Sequence, residues 1–397
     1  MYVRNLSLQD FRSWEHVSIE LTTGTTLFVG RNGFGKTNLL EALYYLSGLR
    51  SHRVSTDQPL IRSGAEQAKL SATVENDGRE LTVDLLIAAS KANKVAINGA
   101  PRRRPRDILG ILRTVMFAPE DLSLVRGDPG ERRRFADELI AGRGPRWAAA
   151  KADYDRVLRQ RAALLKTAAA ALRRGGGDAD SVISTLDVWD GQLADYGAQV
   201  TAARIDLVSE LEPHVRQAYS TIAPQSRPAS MHYRSSVSEN VVPADGEKAD
   251  VEYIEALMLN DLSVLRKKEI ERGVCLVGPH RDDIELMLGN EPAKGFASHG
   301  ESWSMALSLR LGSVGLARAD GVEPVLMLDD VFAELDRRRR RALAKVALDA
   351  EQVLITAAVP EDVPEELDAV RFGVEARDTD RGRISHIVEE TEDRRDG

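Results

Sequence analysis

Two kinds of hydrophobic spacing run along this chain. Near the N-terminus apolar residues alternate as in strands, at Val3, Leu6 and Leu8 and again at Val17, Ile19 and Leu21. The run Thr25-Thr26-Leu27-Phe28-Val29 then reads as a buried strand, and Leu39, Leu43 and Leu46 fall on one face of a helix. Strand spacing returns over Ala68–Val74 and Leu81–Ile87, joined by the hairpin-type turn Asn76-Asp77-Gly78, and Val95–Gly99 begins a further strand. From about Asp128 the period becomes helical. Arg132–Ala141 ends at Gly142, Arg146–Arg174 ends at Gly175-Gly176-Gly177, and Ser184–Leu211 puts Leu186, Trp189, Leu193 and Tyr196 on one face. Residues 223–250, with Pro, Ser and short polar runs, read as a connection holding a strand or two. Sheet character returns at Val274–Val277 and at Ile284, Leu286 and Leu288, then a helix at Trp303–Leu316 precedes the buried strand Val325–Leu328. No fixed-period repeat is present. The pattern predicts an α/β core interrupted by a mostly helical insertion, with boundaries near 126 and 271: residues 1–125, 126–270 and 271–397.

The strand–helix junction at 30–37 carries the chemistry. Gly30-Arg31-Asn32-Gly33-Phe34-Gly35-Lys36-Thr37 fits G-x-x-x-x-G-K-[ST], with a strand before it and a helix after it. Glycines let the backbone wrap an anion, and the following helix aims its first N–H groups at the phosphates. Lys36 would reach the β- and γ-phosphates, and the Thr37 hydroxyl would ligate Mg²⁺. Such a loop needs a carboxylate for its metal. The strand Val325–Leu328 ends in Asp329 and Asp330, the first suited to Mg²⁺ and the second to orienting a water for attack on the γ-phosphate. Ser298 and Gly300 open the helix before that strand, where Ser298 is suited to capping it.

Composition narrows the class. The chain has 397 residues, 43% of them hydrophobic, and no apolar run long enough for a membrane span. Its first residues lack the apolar stretch of a secretion signal, and a lone Cys275 excludes an internal disulfide, so a reduced cytoplasmic setting is expected. The net charge of −8 excludes a uniformly basic nucleic-acid binder. Arginines nevertheless cluster at 102–106, 132–134 and 337–341. Three such clusters on an acidic chain fit a localised positive surface. Helix-face solvation is the simpler reading of 337–341.

In order, these elements resemble the head of ABC-type ATPases: phosphate loop, helical insertion, signature loop and acidic strand. Asn32–Thr37 is similar to the form found in SMC-like chromosome and repair proteins, Ser298-His299-Gly300-Glu301 to a divergent signature, and Glu334-Leu335-Asp336 to the loop after the acidic strand. Leu8-Gln9-Asp10-Phe11-Arg12, Phe117-Ala118-Pro119-Glu120-Asp121-Leu122, Glu131-Arg132-Arg133-Arg134-Phe135 and Leu276-Val277-Gly278-Pro279-His280-Arg281-Asp282-Asp283 narrow the resemblance to the RecF family of DNA replication and repair. It departs from many ABC heads at Thr356, where a histidine is usual, and at Asp330, where a glutamate is usual.

The resemblance implies ATP as cofactor with Mg²⁺ and an ATP-dependent homodimer. One protomer would hold the nucleotide with Asn32, Gly33, Gly35, Lys36, Thr37 and Asp329, while Ser298 and Gly300 of the partner subunit close over the γ-phosphate. It further implies a weak ATPase used as a conformational switch, cooperation with RecR- and RecO-type mediators, loading of RecA at gaps, and binding to single-stranded and gapped DNA, with Arg50, Arg53, Arg102, Arg103, Arg104, Arg132 and Arg133 as candidate phosphate contacts. The competing reading is an ATP-binding subunit of a membrane transporter, which shares the head. That reading calls for a short insertion and a histidine at 356. Instead, Lys36 and Asp329 stand 293 positions apart (329 − 36) and 356 is threonine.

Overall fold

The computed structural model describes residues 1–173, 179–237, 241–244, 246–380 and 382–389; Arg174 and the expected stop at Gly175-Gly176-Gly177 lie outside it. The chain folds into two compact units. Met1–Leu122, Gln217–Ser226 and Trp303–Gly397 form the first, and Ser123–Arg216 with Arg227–Ser302 the second.

The first unit is built on two six-stranded sheets. One is antiparallel throughout, in the order Trp14–Glu20, Tyr2–Phe11, Gln67–Asn76, Arg79–Ala88, Lys94–Ile97, Ala100–Arg102. The other runs Gly382–Glu389, Val370–Thr379, Gly24–Val29, Gln352–Ala357, Val325–Asp329, Thr114–Phe117, parallel except for its terminal hairpin. A parallel sheet covered on both faces needs continuous apolar strands. Val325-Leu326-Met327-Leu328 meets that need, with all four residues at 0% exposure. Val325 and Met327 join the core that also holds Leu39, Leu43 and Leu46 of the helix Lys36–Gly48. Leu326 and Leu328 face the other way, toward Trp303, Leu307 and Leu343. Full burial of each such side chain contributes roughly 1.5–3 kcal/mol, so this strand is anchored from both sides and the acids at its end are held in place.

The second unit contains the helices Pro129–Gly142, Pro145–Arg173, Val251–Arg272 and most of Ala179–Ile222, with a three-stranded antiparallel sheet in the order Glu291–Pro292, Asp283–Leu288, Ala229–Arg234. Its interior is partly ionic. Arg161, fully buried, donates to Asp190 and Glu269 at 2.5 Å each and to Cys275 Sγ at 3.3 Å. The expected boundary at 271 is corrected: residues 271–302 stay with the helical unit because Asp283–Leu288 pairs with Ala229–Arg234. Val251–Arg272 was not legible from periodicity, although Asp250 caps it by accepting from Tyr253 N and Gly273 ends it in the left-handed conformation. No helix among the described residues is long and apolar enough to cross a membrane.

Candidate nucleotide site

The phosphate loop leaves the strand Gly24–Val29 and enters the helix Lys36–Gly48. Two of its glycines are demanded by space. A Cβ at Gly30 would lie 2.1 Å from the Val374 carbonyl oxygen, and one at Gly35, where φ is 100°, would lie 2.4 Å from Ser385 Oγ. The loop is braced from outside: Ser385 Oγ donates to the Phe34 carbonyl at 2.6 Å and Trp14 Nε1 to the Gly35 carbonyl at 3.1 Å. Lys36 folds back so that Nζ donates to the Gly30 carbonyl at 2.7 Å. The residue is 3% exposed, and burial lowers its pKa against the opposing pull of Asp330 and Asp329.

Asp329 meets Thr37 at the other side of the loop. Thr37 Oγ1 donates to Asp329 Oδ1 at 2.8 Å, and Thr356 Oγ1 donates to the same oxygen at 2.6 Å. Asp330 takes a left-handed turn, φ 49°, and its N–H donates to Thr356 Oγ1 at 3.0 Å. Thr356 Oγ1 therefore bridges the Asp329 carboxylate and the Asp330 backbone. Burial pushes the Asp329 carboxyl up to about 6, helped by the charge of Asp330 and opposed by the two threonine hydroxyls. A buried carboxylate beside a threonine hydroxyl is the hard-oxygen donor pair that suits Mg²⁺, whose remaining ligands are commonly phosphate oxygens and water. These residues fit the ion: Thr37 and Asp329 would hold it.

The helix after the loop carries a second network. Glu41 is fully buried and accepts from Arg12 Nε at 2.9 Å and Nη2 at 2.6 Å; Arg53 lies 3.5 Å from it and donates to Asn38 Oδ1 at 3.0 Å. Arg53 is thus tied to the residue after Thr37, while Arg50 is exposed. Between them His52 has both ring nitrogens buried without a hydrogen-bond partner, edge-on to Tyr44 at 5.5 Å, and burial lowers its pKa to about 4.

Ser298 and Gly300 belong to the second unit. They open the helix His299–Ala319 through a reciprocal cap: Glu301 N donates to Ser298 Oγ at 3.2 Å and Ser298 N to Glu301 Oε2 at 2.9 Å. The capping role read from the sequence is therefore present. Among the arginine candidates, Arg102, Arg103 and Arg104 are exposed at the edge of the antiparallel sheet. Arg132 is corrected. It is 6% exposed and paired bidentately with Asp283 at 2.9 Å, so its guanidinium is engaged inside the unit. Arg133 is similarly held, donating to the Asp282 carbonyl at 2.6 Å. Two of the motifs that carried the resemblance, Glu131–Phe135 and Leu276–Asp283, meet in this network.

The model of the RecF/RecN/SMC N-terminal domain matches residues 2–379. The DNA replication and repair protein RecF of Rhodococcus erythropolis is 64% identical over 396 residues, covering 98% of this chain and 97% of that protein. The chain belongs to the RecF family. Two solved structures of the recombination mediator protein RecF in the RecFOR pathway, one with ATPrS and one with ATP, superpose with TM-scores of 0.84 and 0.83. Each is 26% identical and spans 98% of this chain, and this chain spans 98% and 97% of them respectively. The transporter reading has no support in these relatives, and the ABC-type ATPase head is the fold of the family. Within this RecF-family head, sequence reasoning missed Thr356 as the hydroxyl that joins Asp329 to Asp330. The signal was its place at the end of the apolar strand Gln352–Ala357, paired in parallel register with Asp329.

Proposed function

We propose that this chain is an ATP-dependent DNA clamp of replication and recombinational repair, active in the cytoplasm. The Thr37–Asp329 hydrogen bond carries the reading, because it brings the phosphate loop and the acidic strand, 292 residues apart, onto one metal-binding corner. Lys36 and the loop N–H groups bind the phosphates, Thr37 and Asp329 hold Mg²⁺, and the bound ion supplies charge neutralisation at the terminal phosphates. Neither protomer alone neutralises the γ-phosphate, so Ser298 and Gly300 of the partner subunit complete the site and ATP stabilises the homodimer. Asp330 orients the attacking water. Its reach is one methylene shorter than glutamate, which suits a weak ATPase acting as a conformational switch rather than a fast one. Exposed Arg102, Arg103 and Arg104, with Arg50 and Arg53, contact DNA phosphates with strong salt dependence and little sequence choice. The product of the cycle is release from single-stranded or gapped DNA once RecR- and RecO-type mediators have helped place RecA.

Sedimentation velocity with a labelled gapped duplex tests this. A DNA-bound dimer that forms only with Mg-ATP and dissolves as ATP is consumed is the expected result; a monomer indifferent to both ligands refutes it.

A further inference from the structure

We propose that Arg227 is a positioning residue that braces the segment carrying Ser298 and Gly300 and so sets how readily two protomers close over ATP. The guanidinium spans two points on either side of that segment. Nη1 donates to Glu291 Oε2 at 2.5 Å, while Nη2 and Nε donate to Glu301 Oε1 at 3.2 and 3.4 Å. Glu301 uses its other oxygen for the Ser298 N–H at 2.9 Å, so the carboxylate that Arg227 grips is the one that holds the capping box shut. The segment from Glu291 to Glu301 is thereby pinned at both ends.

The rest of the local structure fixes where Arg227 stands. Its aliphatic stem lies against Gly289, where an added Cβ would sit 3.7–3.9 Å from the Arg227 side-chain carbons, and Gly289 N donates to the Pro228 carbonyl at 2.7 Å. Gly289 is in the left-handed conformation, φ 60°, at the turn between Asp283–Leu288 and Glu291–Pro292. A second tie is set one residue beyond the box: Ser302 Oγ donates to the Ser298 carbonyl at 2.9 Å and receives Arg126 Nε at 3.2 Å. The Ser298 N–H first, and Arg227 with it, hold the Glu301 carboxyl down at about 2, so the clamp stays ionised throughout the physiological range.

This inference rests on the reading of Ser298 as the partner-facing residue of a composite ATP site. Removing the brace leaves the phosphate loop untouched but lets the Ser298–Gly300 segment sample more conformations, which must be ordered again on closure. The defect belongs to dimerisation, not to nucleotide capture.

The test uses the full-length protein. In Arg227→Ala, binding of a fluorescent ATP analogue to the dilute monomer should equal wild type, while the dissociation constant of the Mg-ATP dimer should rise about tenfold, the scale of a charge-assisted hydrogen bond near the surface. ATPase activity at low protein concentration should drop and recover at high protein concentration, with the plateau rate unchanged. Arg227→Lys should restore part of the dimer affinity, since one ammonium can still reach one of the two acids. An Arg227→Ala protein that dimerises like wild type while Ser298→Ala fails to dimerise overturns the brace. If Ser298→Ala itself dimerises normally, the composite-site reading falls instead.

Discussion

Acidifying the protein should destabilise it in a window set by two buried histidines, and His280 gives the cleanest measure. His280 Nδ1 lies 2.6 Å from the Tyr154 hydroxyl, and Nε2 donates to the Cys275 carbonyl at 3.3 Å. Burial lowers its pKa from the ordinary 6.5 to about 4. The unfolded chain therefore takes up a proton at a pH where the native protein does not, and stability falls as pH drops through 6.5 until the native ring protonates near 4. The full difference is about 3 kcal/mol at ~1.36 kcal/mol per pH unit, of which about 2 kcal/mol is lost between about pH 7.5 and pH 5. His52, also lowered to about 4, adds a similar loss. Asp329 works the other way: its carboxyl, raised to about 6, takes up a proton in the native state and returns about 1 kcal/mol over the same interval. The assay is urea unfolding followed by tryptophan fluorescence at about pH 7.5 and about pH 5, with His280→Gln beside wild type. The variant should lose about 2 kcal/mol less than wild type on acidification, whatever its stability at the higher pH. An identical pH response in both proteins would refute the assignment of a buried neutral His280.

Other perturbations address the site itself. Gly30→Ala should abolish nucleotide binding measured by calorimetry, because its Cβ would stand 2.1 Å from the Val374 carbonyl and the loop would have to shift. Asp330→Asn should bind ATP normally yet hydrolyse it at least about tenfold more slowly in a single-turnover assay, with the dimer persisting longer. Replacing Arg102, Arg103 and Arg104 together by Glu should weaken DNA binding across sequences. The plot of log affinity against log salt should flatten as well, by up to about 0.9 for each duplex phosphate that the protein no longer neutralises.

Contiguous features were the legible ones. Gly30–Thr37 and Val325–Asp330 are single runs whose strand, loop and helix contexts are adjacent in the chain, so pattern alone located both halves of the candidate site, which the structure brings together through Thr37 and Asp329. The links between them were not legible. Thr356 reaches Asp329 across neighbouring parallel strands, and the hairpin Val370–Thr379 and Gly382–Glu389 supplies Val374 and Ser385 against the loop from the far end of the sequence. The arginine runs misled in the same way. Arg102–Arg104 and Arg132–Arg134 look alike as text, but Arg132 finds Asp283 151 residues later and is buried, whereas Arg102, Arg103 and Arg104 stay exposed at a sheet edge. Sequence spacing reports which face a side chain takes within one element; it does not report which distant charge will fold against it.

The central claim is that each ATP site is shared between two protomers, and mixing two inactive variants tests it most directly. Lys36→Ala cannot hold the phosphates, and Ser298→Arg cannot close over them. In a mixed dimer, the Ser298→Arg protomer supplies an intact Lys36 and the Lys36→Ala protomer an intact Ser298, so one of the two sites is whole. Each variant alone should lack ATPase activity and the ATP-dependent dimer, while an equimolar mixture should regain up to about half of wild-type turnover, because only mixed dimers form and each has one good site of two. A mixture no more active than either variant alone would contradict the composite site.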